Sequence, residues 1–317
     1  MPNWSDVLKE IHKTQETGQS QQQQSFDLIR RKYLKKLHKH TGRNVIAYYS
    51  AFLSKPQIEG IDIVDDDKNG FMMAVHQLDR TKGLDILLHT PGGNMAATES
   101  LVHYLKSLFG NDIRAIVPQI AMSAGTMIAC CCKSIVMGKH SNLGPIDPQI
   151  NGIPAVVVKR EFERAFNEMK ADPARAMVWQ PIISKYHPTF LDQCDLAIKW
   201  AATLVRDGLS SNMLYEEPKP LEKADVIVEK LSDVDENKAH NKHIHFDDCK
   251  QIGLTLEKLE DDEILQDLVL TVHHCFMHTL SNTEAVKIIE NHRGKAIIRQ
   301  VSQAKNNQIS IGFGRPT

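Results

Sequence analysis

Between residues 44 and 137 the apolar positions fall into short runs separated by longer stretches with helical spacing. Asn44–Tyr49, Leu84–His89, Ile113–Val117 and Ile135–Met137 read as strands. Gly70–Leu78, Met95–Phe109 and Ala124–Cys132 read as helices, the first through Met72, Met73, Val75 and Leu78. Strands and helices alternating on short connections predict a largely parallel sheet wrapped by crossover helices, an α/β fold. In such sheets function gathers at the carboxyl ends of the strands.

Further helices are expected over Val156–Lys170, with Phe162 and Phe166 on one face, and over Thr189–Arg206, Leu221–Leu231, Asp247–Ile252 and Asp261–Leu280. Trp4, Val7, Leu8 and Ile11 have helical spacing, as do Phe26, Ile29, Tyr33, Leu34 and Leu37, so residues 1–42 read as a helical N-terminal arm. Its basic stretch Arg30–His40 reads as a solvated face packed on the body or on a neighbouring subunit, with attraction to an acidic membrane surface or nucleic acid as the alternative. Residues 43–285 are taken as the main domain and 286–317 as a C-terminal tail, which from about residue 293 reads as loose, with turn-forming Gly312 and Gly314.

Composition narrows the class without changing it. The 317 residues are 42% hydrophobic and 24% charged, enough for one large core. A formal net charge of −1 offers no global field for nucleic acid. The stretch MPNWSDVLKEIHKTQ lacks the apolar region of a signal peptide, and no run of about 18 apolar residues occurs. Of six cysteines, Cys130, Cys131 and Cys132 are consecutive and read as small buried residues in a reducing compartment. The expected location is cytoplasmic, with no integral membrane segment.

The chemistry-bearing residues sit at the ends of two of these strands. Leu84–Thr90 runs into Pro91-Gly92-Gly93, where glycines let the backbone approach a ligand and aim N–H groups into a cleft. Ile113–Val117 is followed by the turn Ser123-Ala124-Gly125-Thr126, which puts a serine hydroxyl at a helix N-terminus beside unpaired backbone donors. A nucleophile beside a glycine-built anion hole is the equipment of acyl transfer. The bland alternative is an N-cap serine and a turn glycine.

PGGNMAA at 91–97, AMSAGTMIA at 121–129 and LGPIDPQ at 143–149 together resemble the Clp/crotonase-type serine peptidases, most closely the serine dehydrogenase proteinase family related to signal peptide peptidase A. The resemblance covers about residues 44–280. It implies a spiral of ββα units that assembles into a homo-oligomeric ring, and a peptide or unfolded-protein substrate. It also implies Ser123 as nucleophile, an oxyanion hole from the N–H groups of Gly93 and Ala124, and no metal or organic cofactor.

The general base stays open at this point. Clp-type relatives carry a histidine about 25 residues after the serine, where this chain has Pro145, Ile146, Asp147 and Pro148; His140 comes too early. Signal peptide peptidase A relatives use a lysine near the start of a later helix, and Lys185 fits that description best, with Lys159, Lys170 and His187 as alternatives. A lysine base must be desolvated or set near positive charge, because an ordinary lysine is protonated at neutral pH. Asp147 either braces its loop or orients a base.

Three other groupings are set aside. His240, His243 and His245 with Asp247 and Asp248 read as a polar loop leading into a helix. His274 and His278 have metal-ligand spacing, but Cys275 stands where a zincin motif needs glutamate. Asp65, Asp67 and Asn69 open like a calcium loop, yet His76 occupies the place of the closing glutamate. A serine peptidase is thus the leading expectation. The alternatives are an inactive relative that binds peptides by strand addition and a crotonase-like acyl-CoA enzyme.

Overall fold

The computed structural model describes residues 4–16, 22–150, 152–234 and 239–301. In chain order the helices are α1 (Trp4–Glu16), α2 (Gln22–Thr41), α3 (Asp67–Val75), α4 (Met95–Phe109), α5 (Ala124–Cys130), α6 (Ala155–Ala171), α7 (Ala176–Ile183), α8 (Phe190–Gly208), α9 (Pro220–Ser232), α10 (Phe246–Ile252) and α11 (Glu263–Asn282). The strands are β1 (Asn44–Ser50), β2 (Leu84–His89), β3 (Ile113–Val117), β4 (Ile120–Ala121), β5 (Ser134–Met137), β6 (Asn142–Leu143), β7 (Gln149–Ile150), β8 (Ile153–Pro154), β9 (Leu256–Lys258), β10 (Ala285–Asn291) and β11 (Ala296–Gln300).

The fold is mixed α/β around a mostly parallel seven-stranded sheet, β11-β10-β1-β2-β3-β5-β9. From β1 to β9 every neighbour is parallel; β10 and β11 join antiparallel. Strand β2 is buried at all six positions, as a central strand covered on both faces must be. One layer packs α3, α4, α5 and α8–α10 on the sheet through Phe71, Leu101, Ile128 and Val205. The other packs α2 and α11 through Leu34, Leu37, Val272 and Phe276.

The stretch expected as a loose tail is corrected here. Strand β10 runs fully buried alongside β1, with Tyr48 opposite Ile289, and β11 extends that edge; the expected turn residues Gly312 and Gly314 lie outside the described residues. Its signal is weak in sequence because Lys287, Glu290 and Asn291 interrupt the apolar pattern, yet all three are buried with partners. The basic arm also departs from a purely solvated face: Arg30 is fully buried, donating from Nε to Glu290 (2.8 Å) and from Nη1 to Thr279 Oγ1 (2.9 Å). The sequence reading offers no helix for α7, and it starts α3 three residues late because Asp67, buried at the helix start, looks like a turn residue.

Candidate active site

The site is assembled where β2 and β4 end. Thr90 N–H donates to Ile120 O (3.2 Å) and Met122 N–H donates to Thr90 O (3.0 Å), so the chain leaving β2 runs beside the chain leaving β4. This brings Gly92 against Ser123: a Cβ at Gly92 would lie 2.8 Å from Ser123 Cβ and 3.1 Å from Ala124 N. On its far side, the glycine pair is held by Ile63. Ile63 N–H donates to Gly92 O and Asn94 N–H donates to Ile63 O, both at 2.8 Å. In an extended ladder the residue between two such bonds points its own N–H the opposite way. The Gly93 N–H therefore faces away from Ile63, toward the Ser123 side. A side chain at Gly93 is excluded, because its Cβ would sit 2.3 Å from Ile63 N.

Ser123 occupies a sharp strand-to-helix turn at φ 50°, ψ −114°, a conformation that an L-residue adopts only under strain. It stands at the N-cap of α5 but its hydroxyl caps nothing. The capping role that would make it an ordinary helix serine is thus absent. Among the described residues, neither the half-buried Ser123 hydroxyl nor the N–H groups of Gly93 and Ala124 are spent in a hydrogen bond. A strained, uncommitted hydroxyl and two uncommitted main-chain donors thus meet at the rim of the sheet. Asn94 caps α4 by accepting from Ala97 N–H (3.0 Å), which fixes the glycine turn from its other end.

The loop after β6 lies along the same rim. Leu143 pairs in parallel with Ala121 and forms an antiparallel bridge with Ile244. Thr126 Oγ1 donates to Ala121 O (2.8 Å) and accepts from Gly144 N–H (2.9 Å), tying the first turn of α5 to that loop. Counting outward from the Leu143–Ile244 bridge brings Asp147 opposite His240. His240 Nδ1 donates to Asp147 Oδ1 at 2.9 Å. The carboxylate is buried and also accepts from Gln149 Nε2 (3.3 Å), while the imidazole is about a quarter exposed. Of the two readings offered for Asp147, orientation of a base now has a partner: a histidine 93 positions later in the chain. Sequence reasoning had set His240 aside, and its only signal was a histidine in a polar loop.

The lysines expected as base are elsewhere, and the Lys185 expectation is corrected. Lys185 is exposed in the turn between α7 and α8. Helix α8 meets α5 at its other end, where Gly208 lies against Cys131 and Cys131 Sγ reaches Leu204 O. Nineteen residues of helix put those ends about 27 Å apart. Exposed there, Lys185 lacks the desolvated setting that a lysine base needs. Lys159 Nζ pairs with Asp195 (2.5 Å), whose hydrogen bond raises the ammonium above its ordinary value and keeps it charged. Lys170 is exposed at the end of α6, and His187 is exposed and turns Nδ1 to Pro188 O.

The groupings set aside have structural work of their own. Asp67 is buried and bound by Lys287 and Tyr48; His245 and Asp248 form a reciprocal cap on α10. His278 Nε2 donates to Trp4 O (3.0 Å), holding α1 on α11.

The model of the ClpP-like SDH-type serine proteinase family matches residues 17–289. Two uncharacterized proteins of Methanocaldococcus jannaschii are similar. MJ0137 is 27% identical over 202 residues, 64% of this chain and 63% of that protein. MJ1495 is 30% identical over 136 residues, 41% of this chain and 46% of that protein. The chain thus spans less than two thirds of the length of either relative. No solved structure matches it.

Proposed function

Because this chain belongs to the ClpP-like SDH-type serine proteinase family, we propose that it is a serine peptidase in which Ser123 is the nucleophile, the N–H groups of Gly93 and Ala124 form the oxyanion hole, and His240 oriented by Asp147 is the general base. The observation that carries this reading is the serine turn itself. Ser123 bears backbone strain, caps nothing, and faces a glycine that any side chain would push into it.

With Nδ1–H donated to Asp147, a neutral His240 keeps its Nε2 lone pair for the serine proton. Ser123 Oγ attacks a peptide carbonyl carbon while His240 takes the hydroxyl proton. The carbonyl oxygen becomes an oxyanion that accepts hydrogen bonds from Gly93 and Ala124. The C–N bond then breaks, and the imidazolium returns its proton to the leaving amine. Water, deprotonated by the same imidazole, cleaves the acyl ester and restores the serine. Ser123 and His240 are not hydrogen-bonded to each other, so this assignment requires the imidazole to close on the hydroxyl when substrate binds, a common tightening of catalytic contacts.

The proposal includes peptide or unfolded-protein substrates, assembly of copies into a homo-oligomer, and a reducing cytoplasmic setting. The last is supported by six cysteines that are all buried and free. Among the described residues, no helix is long and apolar enough to cross a membrane.

A fluorophosphonate probe tests the assignment. Adduct at Ser123 that is lost in Ser123→Ala, nearly lost in His240→Ala and kept in Lys185→Ala supports it. Labelling lost in Lys185→Ala but kept in His240→Ala overturns the histidine assignment. No adduct, with peptide still bound, points to a non-catalytic scaffold instead.

A further inference from the structure

A cavity of about 490 Å³ opens between α2 and the β10–β11 turn. Its walls are Arg31, Lys32, Lys35, His38, His292 and Arg293, and Gly294 completes the lining, so no acidic side chain faces it. It sits at the amino end of β1, where His292 N–H donates to Val45 O (3.0 Å), and thus at the opposite edge of the sheet from Ser123. Its volume falls within the range of small-molecule sites.

The charges lining it are only partly neutralised. Arg31 Nε donates to Glu290 Oε1 (3.0 Å) and its Nη2 lies 3.7 Å from Asp27 Oδ2, but both carboxylates are shared with Arg30. Lys32 pairs with Glu10. Lys35 and Arg293 have no acidic partner among the described residues; Arg293 Nη1 donates to Gln77 O (2.6 Å). His38 and His292 stack flat on each other, centroids 3.8 Å apart and planes 13° from parallel. Their Nδ1 atoms are occupied at Arg43 O and at the Val45 backbone, which fixes both rings as walls. Burial first, then His38 and the nearby charges of Arg293 and Lys82, drive His292 down to about 4. Positive charge therefore remains along an open cleft, although the chain as a whole carries a net charge of −1.

We propose that this cavity between α2 and the β10–β11 turn is a binding site for a multiply charged phosphate group, held by Arg31, Lys32, Lys35 and Arg293. Guanidinium and ammonium donors on facing walls suit the oxygens of a di- or triphosphate. The lining offers no apolar slot for a base or acyl chain, so the phosphates are the recognised part. A free polyphosphate compound and a phosphorylated lipid headgroup share that chemistry.

The test is calorimetric titration of the full chain with inorganic tripolyphosphate, beside flotation with phosphatidylcholine vesicles that contain phosphatidylinositol bisphosphate. The comparison is Lys35→Glu/Arg293→Glu, two exposed side chains whose reversal leaves the core untouched. Saturable binding in either arm that weakens at least tenfold in the variant supports the site, and the arm that binds identifies the source. No binding in both arms, or equal binding by the variant, overturns it. Fluorophosphonate labelling at Ser123 is expected to be the same in both proteins, so failure here is separable from failure of the peptidase reading.

Discussion

Asp147 and His240, 93 positions apart in the chain, share a 2.9 Å hydrogen bond because a two-residue strand, β6, is bridged by Ile244. The carboxylate is buried and the imidazole is not, so the pair has one fixed end and one end that reaches solvent. That is the arrangement in which a carboxylate sets a histidine's tautomer.

If this pair serves Ser123, Asp147→Asn should leave the fold intact and lower kcat by about 10³- to 10⁴-fold, the usual cost of the wrong tautomer. His240→Ala should cost a similar factor, and the double variant little more than either alone, because residues acting as a unit are not additive. Single-turnover acylation by an activated ester reads this directly. Multiplicative losses would count against a shared role.

Gly93→Ala puts a methyl group into the Ile63 backbone, 2.3 Å from its nitrogen. The glycine turn must shift, and on the proposed assignment its N–H then leaves the oxyanion position. Loss of one such donor costs about 10²- to 10³-fold in kcat. Acylation kinetics compared with thermal unfolding separate a lost donor from a lost fold. A variant that keeps full acylation rate would remove Gly93 from the hole.

Lys287 is fully buried and donates to both oxygens of Asp67 at 2.9 Å; Asp67 in turn accepts from Tyr48 Oη (2.8 Å) and Val64 N–H (3.0 Å). Desolvation pushes the ammonium below its ordinary value, and Asp67 counteracts this. The pair anchors the segment that holds Ile63 against Gly93. Lys287→Met strands a buried carboxylate and should cost about 3–5 kcal/mol in urea denaturation. Adding Asp67→Asn should recover part of that loss. A single-variant cost below about 1 kcal/mol would mean that the pair does not anchor this segment.

His89 is buried at the end of β2, packed on Phe52, Tyr49 and His273, with neither ring nitrogen hydrogen-bonded among the described residues. Burial pushes it down to about 3. The unfolded chain therefore binds this proton near pH 6.5 and the folded chain does not. The contribution of neutral His89 is complete above pH 6.5 and falls as pH drops toward 3, by about 1.4 kcal/mol per unit. Melting temperature against pH should fall more gently in His89→Leu than in the parent over that window. Parallel curves would show that His89 is not the titrating group.

Local pattern was enough for the parts of the site that lie within one strand-turn-helix unit. Pro91-Gly92-Gly93 and Ser123-Ala124 each follow an apolar run, and their composition states what the backbone must do there. Helices α4, α6 and α8 are legible for the same reason, since amphipathic spacing is a property of neighbours along the chain. Strand β10 is not legible in that way. Its Lys287, Glu290 and Asn291 read as solvent-facing, and only partners supplied by α2, α3 and the segment before α3 make their burial tolerable.

By itself, then, the sequence determined a parallel α/β body, a serine on a small-residue turn and a glycine pair at a neighbouring strand end. The tertiary structure decided which distant loops come together. Distance along the chain suggested a lysine in a helix turn, but a nineteen-residue helix carries Lys185 away while one β-bridge folds His240 onto Asp147. Contacts within a turn follow from covalent neighbours; contacts between loops depend on which strands pair, and that is a property of the whole core.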